Sequence, residues 1–299
     1  MQFLTDPWSW WVEPFLHSDS VRAAAPVVAL TALCTSLVGT WVVLRGMSFL
    51  GDALAHGVLP GIAIAFVLGG NTTVGAFIAA LAMVGGVNVV RAASPLPDDA
   101  SIGILFVGFL SLAVVIMSSQ RSSYSGELNR FLFGSVTGVD DGDLTRQAIA
   151  TAITVVAVVV FYRSFLVSTF DERQAAMLGL HPRLAHIGLL VLLAVAIVSS
   201  FSTVGNLLVF AFLIAPPATA TLFATRVPLV MFFATLVGVA AGMLGLLISY
   251  NESTAAGATM ALCAVGVFFL ALVAGSVAAL LRRSGATADR TTRPTAPLR

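Results

Sequence analysis

Long apolar runs, separated by short polar breaks, follow one another along most of the chain. Runs of about 20 apolar residues form helices that cross the ~30 Å hydrocarbon core of a bilayer. The composition agrees, because 58% of the residues are hydrophobic and only 10% are charged, which is unlike soluble domains. The alternating polar and apolar pattern of membrane β-strands is missing. We therefore expect an all-α, polytopic helical membrane protein.

Nine of the apolar runs fit membrane-spanning helices, and an eight-span arrangement remains as the alternative. The predicted spans cover residues 24–44, 52–70, 73–91, 101–119, 145–163, 185–202, 205–224, 228–249 and 257–281. Together they predict one transmembrane domain over residues 1–283. The tail 284–299 is polar and rich in Thr, Pro and Arg, so we expect it to be disordered.

The arginines are distributed unevenly between the two ends of the nine spans. Cytoplasmic loops carry the excess of basic residues, which predicts an N-terminus outside the cell and a C-terminus in the cytoplasm. The side with few arginines carries Arg22, Arg121, Arg130 and Arg146. The side with the excess carries Arg45, Arg91, Arg163, Arg173, Arg183, Arg226, Arg282 and Arg283.

Several classes of function are excluded by the composition. A formal net charge of +1 gives no support for nucleic-acid binding, which needs a clustered basic surface. The chain contains no lysine, so it has no phosphate-binding loop of the G-x-x-x-x-G-K-[ST] kind and is not itself an ordinary P-loop ATPase. Neither H-E-x-x-H nor G-x-S-x-G occurs. Transport therefore fits better than catalysis.

Two connecting segments are longer than simple turns. Residues 120–144, on the predicted outer side, contain ELNRFLFGSV, which favours a short helix along the membrane surface. Residues 164–184, on the predicted cytoplasmic side, contain a helix-like run from Asp171 to Leu180, with Pro182 close to its end. A short charged helix between spans is suited to docking a partner protein, and a plain interfacial helix is the alternative.

Asp52 and His56, in the stretch GDALAHGVLPG, are spaced to share one face of a helix. Ionisable side chains inside a span are costly and usually face a cavity or a transport route. A carboxylate and an imidazole suit zinc, manganese or ferrous iron. Two ligands are too few for one ion, whereas a two-fold dimer with facing helices supplies four. The alternative is that Asp52 caps a helix behind Gly51 and His56 lies near the interface.

The run FSTVGNLLVFAFLIAPPATATLF contains residues that break membrane helices. Gly205 and Asn206 stand near its start, and Pro216 and Pro217 lie inside it, so we expect a broken or kinked span. Broken membrane helices line cavities. We therefore expect these four residues to line the route. Glu252, in SYNESTAAG, is a candidate outer gate or simply a solvated acid.

The stretch VVLRGMSFLGDALAHGVLPGIAIAF resembles the signature of permease subunits of zinc, manganese and iron ABC importers. The resemblance continues in LNRFLFGSVTGVDDGDL, FDERQAAMLGLHPRL, VGNLLVFAFLIAPPATATLFATR and GATMALCAVGVFFLA, and it covers about residues 1 to 282. It implies a homodimer of permeases in a bacterial plasma membrane, bound to two cytoplasmic ATPase subunits and supplied by an extracellular metal-binding protein.

The resemblance also assigns roles to residues. Asp52 and His56 match the family's metal-contacting acid and histidine, and the transported manganese, zinc or iron ion is cargo rather than a resident cofactor. The mechanism implied is alternating access, and no enzymatic activity is expected of this chain. The resemblance also implies that the ATPase contacts the segment that contains Asp171, Glu172, Arg173, Leu178 and Gly179.

The chain departs from the family at one place. Before the last span many members carry a D-x-P-x-G pattern, where this chain has Ser253, Thr254, Ala255, Ala256 and Gly257. Glu252, next to the missing acid and beside Ser253, is the candidate substitute at an outer gate. Two other functions remain as alternatives: an ion-coupled secondary metal transporter and a non-transporting membrane scaffold.

Overall fold

The computed structural model describes residues 10–11, 13–95, 97–118 and 140–291, and the elements assigned in these ranges are helices. We number them in chain order. They are α1 (Glu13–His17), α2 (Asp19–Leu44), α3 (Ser48–Gly57), α4 (Leu59–Val67), α5 (Thr72–Ala93), α6 (Asp98–Ser118), α7 (Asp141–Phe170), α8 (Glu172–Met177), α9 (Pro182–Val204), α10 (Asn206–Thr221), α11 (Val227–Glu252) and α12 (Ala256–Thr291).

Within the described residues, 8 stretches are long and apolar enough to cross a membrane. They are α2, α3 together with α4, α5, α6, α7, α9, α11 and α12. The remaining predicted span, 205–224, forms α10, which has 16 residues. At 1.5 Å per residue α10 is about 24 Å long, shorter than the ~30 Å apolar core. The all-α polytopic fold is confirmed, with eight spans of full length and one shorter apolar helix.

Helix α2 lies at the centre of the bundle and packs against α7, α9, α10 and α11. Its N-cap Ser18 accepts a hydrogen bond from the backbone N–H of Val21, as capping serines do. Near its other end Trp41 is fully buried. Its ring lies 5.8 Å from that of Tyr162 and 5.7 Å from that of Phe165, centroid to centroid. These aromatic contacts join α2 to α7.

Polar side chains also link α2 to its neighbours. The Ser36 hydroxyl donates to the carbonyl of Ala234 in α11 at 3.2 Å, and the Thr151 hydroxyl of α7 donates to the carbonyl of Leu30 at 3.2 Å. Small and hydroxyl-bearing residues let membrane helices approach closely and bond across the contact. Gly39 is an example, because a Cβ at this position would overlap the backbone carbonyl of Leu213 in α10.

The second predicted span begins earlier than expected, at Ser48 rather than at residue 52. Val58 lies between α3 and α4. Pro60 stands in the first turn of α4, where its missing N–H is tolerated. Val58 keeps helical angles, φ −77° and ψ −20°, and its N–H and carbonyl bond to Leu54 and Ile62 at 3.2 Å, so α3 and α4 continue as one span.

The two long connections differ in what the structure describes. Residues 119–139 lie outside the described part, so the surface helix expected in segment 120–144 stays a prediction. Helix α7 begins at Asp141, and its N-cap Asp140 forms a reciprocal capping box with Asp143. The helix expected from Asp171 to Leu180 is shorter, since α8 ends at Met177.

One predicted helix end is displaced in the structure. Pro182 stands in the first turn of α9 instead of ending the preceding helix, a position that suits its missing N–H. Helix α12 is assigned to Thr291, and residues 292–299 lie outside the described part. The domain boundary expected at residue 283 stays a prediction.

Candidate functional site

Asp52 and His56 meet on α3 as their spacing predicts. The Asp52 Oδ1 and His56 Nε2 atoms are 3.6 Å apart, and the two side chains are 31% and 25% exposed. The N-cap of α3 is Met47, which places Asp52 inside the helix. The alternative in which Asp52 caps the span is therefore wrong. The pair forms a partly exposed polar site on an otherwise apolar helix.

The His56 ring is oriented by its surroundings. It contacts the ring of Phe106 in α6 edge-on, with 5.7 Å between the ring centroids. The Nδ1 atom is buried and has no hydrogen-bond partner among the described residues. The Nε2 atom faces Asp52 and a second polar side chain, Asn206. Nε2 is thus the ring nitrogen that faces the site.

Asn206 reaches the site because the chain breaks between α9 and α10. Gly205 separates the two helices with φ 79° and ψ 160°, a combination that only glycine adopts readily. Asn206 then opens α10, is 4% exposed, and places its Nδ2 atom 3.5 Å from His56 Nε2. Its Oδ1 atom is buried without a hydrogen-bond partner among the described residues.

The turn at Gly205 lies at the start of the predicted span 205–224, and inside the span α10 is one helix through Pro216 and Pro217. Both prolines are buried inside the bundle. The Thr219 hydroxyl donates to the carbonyl of Ala215 at 2.7 Å. Of the four residues expected to line the route, the structure brings Asn206 into contact with His56 through the turn at Gly205.

One chain offers few charged ligands for a metal ion. Among the described residues, no three His, Cys, Asp or Glu side chains come close enough together to hold one. Asp52 and His56 form a pair, and the nearby amide of Asn206 adds a neutral oxygen and nitrogen. In the part of the chain that the structure describes, the donors that come together here are therefore one carboxylate, one imidazole and one amide.

Comparison with known proteins identifies the family. The family model described as "ABC 3 transport family" matches residues 17–275, most of the chain. The chain belongs to the ABC 3 transport family. This confirms the resemblance to permease subunits of metal-ion ABC importers, and with it the expectation of a transport subunit rather than an enzyme.

Individual relatives are similar over nearly their whole length. The manganese transport system membrane protein MntC of Listeria innocua is 36% identical over 262 residues, 88% of this chain and 93% of the relative. The chelated iron transport system membrane protein YfeD of Yersinia pestis is 32% identical over 287 residues, 95% and 96% of the two chains. The solved structure of PsaBC from Streptococcus pneumoniae in complex with Fab has a TM-score of 0.79 and 31% identity, covering 87% of this chain and 94% of that chain.

In this ABC 3 family chain the segment around α8 is largely exposed. The Asp171 side chain caps α8 by accepting a hydrogen bond from the backbone N–H of Gln174 at 2.9 Å. Met177 is 82% exposed and Leu178 is 53% exposed, and Gly179 follows with φ 74°. Large apolar side chains at the surface are often binding contacts.

Arg45 and His186 connect the ends of α2, α5, α7 and α9. The Arg45 Nε–H donates to the Thr169 hydroxyl at 3.0 Å, and Arg45 Nη1 lies 3.5 Å from His186 Nδ1. Arg91 Nη1 lies 2.9 Å from His186 Nε2. Burial lowers the pKa of Arg45, and the nearby charge of Glu172 opposes that shift. His186 lies near the start of the predicted span 185–202, and its sequence position gave no sign of this cluster.

Glu252 and Ser253 lie at the end of α11. Glu252 is exposed, and Ser253 adopts the left-handed conformation with φ 51°. The Ser249 hydroxyl donates to the carbonyl of Thr254 at 2.6 Å and closes the turn. The pair is thus held on a tight, accessible turn.

Proposed function

We propose that this chain is the membrane-spanning permease of a binding-protein-dependent ABC importer for divalent manganese, zinc or iron. One observation carries the proposal: in a member of the ABC 3 transport family, Asp52 and His56 converge within 3.6 Å on a partly exposed face of a membrane helix. Carboxylate and imidazole are ligands for such ions. The similarity to relatives named for manganese and chelated iron transport supports this class of cargo.

The ion contacts two copies of the chain. Each copy contributes Asp52 and His56, and a two-fold axis beside the α3 helices gives two carboxylates and two imidazoles for one ion. Their partial exposure, 31% and 25% of the side chains, keeps them accessible to cargo and to the second copy. A site with few protein ligands also binds weakly enough to release its ion.

Energy comes from a separate protein. The chain contains no lysine and so has no P-loop of its own; two cytoplasmic ATPase subunits bind at the segment from Asp171 to Gly179.

An extracellular metal-binding protein docks on the opposite face and delivers the ion, with Glu252 and Ser253 at the outer gate. ATP-driven closure of the ATPase subunits then reorients the dimer by alternating access.

The clustering of basic residues supports the orientation. Arg45 and Arg91 both contact His186, and Arg91, Arg173 and Arg183 line one hollow of about 620 Å³. These arginines therefore share one end of the bundle. Because basic residues concentrate on the cytoplasmic side, that end faces the cytoplasm, with the N-terminus outside the cell and the C-terminus inside.

Metal uptake by proteoliposomes tests the proposal. The vesicles contain the full chain, its ATPase and its binding protein, and uptake of manganese, zinc and iron is compared with and without ATP. We expect Asp52→Ala and His56→Ala to abolish ATP-dependent uptake while the complex still assembles. Asp19→Ala and His17→Ala are matched controls, because both residues are exposed in the N-terminal part of the chain, and they should transport like wild type.

Three outcomes would contradict the proposal. Uptake that persists without nucleotide would indicate an ion-coupled secondary transporter. Unchanged uptake in both Asp52→Ala and His56→Ala would show that the pair does not contact the ion. A chain that supports no uptake of any of the three metals, although fully assembled, would favour a scaffold.

A further inference from the structure

We infer that Asn206 is a third ligand from each chain to the transported ion, and that its amide oxygen makes the site prefer manganese over zinc. The inference rests on the proposed function, because it adds a donor to the site formed by Asp52 and His56. It concerns the choice between metals, which those two residues leave open.

The distances fit a shared ion. His56 Nε2 lies 3.6 Å from Asp52 Oδ1 and 3.5 Å from the Asn206 amide nitrogen. Two donor atoms that bind one ion at ~2.1 Å each lie roughly 3 to 3.5 Å apart. The three side chains therefore need only small movements to hold an ion between them.

The Asn206 amide has an oxygen to offer. Oδ1 is buried and has no hydrogen-bond partner among the described residues, and the residue is only 4% exposed. The two ends of an amide have the same shape, so a half-turn of the group places the oxygen where the nitrogen now faces His56. A buried carbonyl oxygen without a partner is unfavourable, and binding an ion satisfies it.

The backbone holds this side chain in place. Gly205 ends α9 at φ 79°, and the next residue, Asn206, already belongs to α10. The carbonyl of Gly205 accepts a hydrogen bond from the N–H of Val209 at 3.2 Å. A buried residue at the start of a 16-residue helix has little freedom, so the donor is preorganised.

The chemistry of the donor sets the preference. An amide oxygen is a hard, neutral ligand that suits manganese and other oxygen-seeking ions. Two chains then supply two carboxylates, two imidazoles and two amide oxygens, a set that fits the six-coordinate geometry of manganese. Zinc prefers four ligands and is satisfied by the carboxylates and imidazoles alone.

Metal binding to the purified full chain tests the inference. The affinities for manganese and zinc are measured by calorimetry in nanodiscs, for wild type, Asn206→Leu and Asn206→Asp. Leucine has a similar size but no donor, and we expect it to weaken manganese binding by about 10- to 100-fold, with zinc binding nearly unchanged. Aspartate keeps an oxygen and should retain manganese binding. Asn88→Leu is the matched control, because the Asn88 amide donates to the Val84 carbonyl of its own helix at 2.8 Å.

A spectroscopic measurement separates a ligand from a packing residue. Bound cobalt(II) absorbs weakly when six-coordinate and strongly when four-coordinate. We expect a weak band in wild type and Asn206→Asp, and a strong one in Asn206→Leu. A purely structural role would leave the band intensity unchanged, or would weaken manganese and zinc binding by the same factor, and either result overturns the inference.

Failure of the inference is distinguishable from failure of the proposed function. If Asp52→Ala and His56→Ala abolish metal binding while Asn206→Leu leaves the ratio of manganese to zinc affinity unchanged, the inference alone is wrong. If Asp52→Ala and His56→Ala bind metals like wild type, the proposed site itself is wrong. Thermal unfolding and dimer size, measured on the same samples, show whether Asn206→Leu is folded. If Asn206→Leu is not folded, the isosteric variant Asn206→Asp decides. A loss of manganese affinity in Asn206→Asp then overturns the inference.

Discussion

The Asn206 amide nitrogen lies 3.5 Å from Nε2 of His56, although 150 positions separate the two residues in the chain. The contact depends on where two helices begin and end. Asn206 opens α10 directly after the turn at Gly205, and His56 stands one turn after Asp52 on α3. Local sequence sets these helix ends, and the packing of α3 against α10 then brings the two side chains together.

Gly205→Ala should displace Asn206 from the site. Alanine at φ 79° and ψ 160° costs about 1 to 3 kcal/mol, so the turn relaxes and α10 shifts. We expect a lower unfolding temperature in detergent and reduced metal uptake. The control is Gly188→Ala in α9, where a new Cβ meets no atom within 4 Å. If Gly205→Ala and Gly188→Ala have the same unfolding temperature and the same metal uptake, a side chain at residue 205 does not strain the turn.

Gly39→Ala should separate α2 from α10. The new methyl group overlaps the backbone carbonyl of Leu213, and a backbone cannot yield as a flexible side chain does. Overpacking of this kind costs about 1 to 3 kcal/mol. The same substitution at Gly85, where the space is open, should be neutral or slightly stabilising. Thermal unfolding of both variants measures the difference, which would vanish if the two helices can slide apart freely.

Thr169→Val should weaken the contact between Arg45, after the end of α2, and the last turn of α7. The variant keeps the shape of the side chain but removes the oxygen that accepts the Arg45 Nε–H at 3.0 Å. Another guanidinium nitrogen, Nη2, is already buried without a partner among the described residues. Loss of a hydrogen bond to a charged group costs about 1.5 to 3 kcal/mol, measured as a fall in unfolding free energy.

Thr221→Val provides the comparison for this variant. Thr221 is exposed and bonds within its own helix, to the Ala218 carbonyl at 2.7 Å. We expect its unfolding free energy to remain within about 0.5 kcal/mol of wild type. If Thr221→Val lowers the unfolding free energy as much as Thr169→Val does, the loss in Thr169→Val cannot be assigned to the hydrogen bond with Arg45.

Cysteine labelling should reveal the orientation. In a background with Cys34 and Cys263 replaced by alanine, a membrane-impermeant maleimide added to intact cells should label Glu252→Cys and not Arg173→Cys. Both positions are exposed in the structure, so accessibility alone does not distinguish them. Both should react after lysis. Labelling of Arg173→Cys in intact cells would invert the proposed topology.

The fold followed from the sequence where the signal is local. Apolar length predicts spans because the bilayer fixes how long a helix must be, and the four-residue spacing places Asp52 and His56 on one face. The break at Gly205 was likewise visible as a glycine near the start of an apolar run. These features depend on a few neighbouring residues.

Other features depend on distant parts of the chain. Sequence reasoning assigned Asn206 to the lining of a route but did not pair it with His56, since that contact requires the packing of α3 against α10. The position of the His186 ring between two arginines also depends on the packing of separate helices. The second span starts at Ser48, before the predicted start at residue 52, because Met47 already serves as the N-cap of its helix.

The bonds that join α2 to its neighbours bear on how the protein moves. The Ser36 hydroxyl holds α11 through the Ala234 carbonyl, and the Thr151 hydroxyl of α7 holds α2 at Leu30. Sliding of α2 against α11 would leave the Ser36 hydroxyl without this acceptor in an apolar interior, which is unfavourable. The tie at Thr151 is weaker, because its hydroxyl also bonds to the Gln147 carbonyl of its own helix at 2.8 Å. In the proposed dimer, movement between the two copies should therefore be easier than sliding between α2 and α11 within one chain.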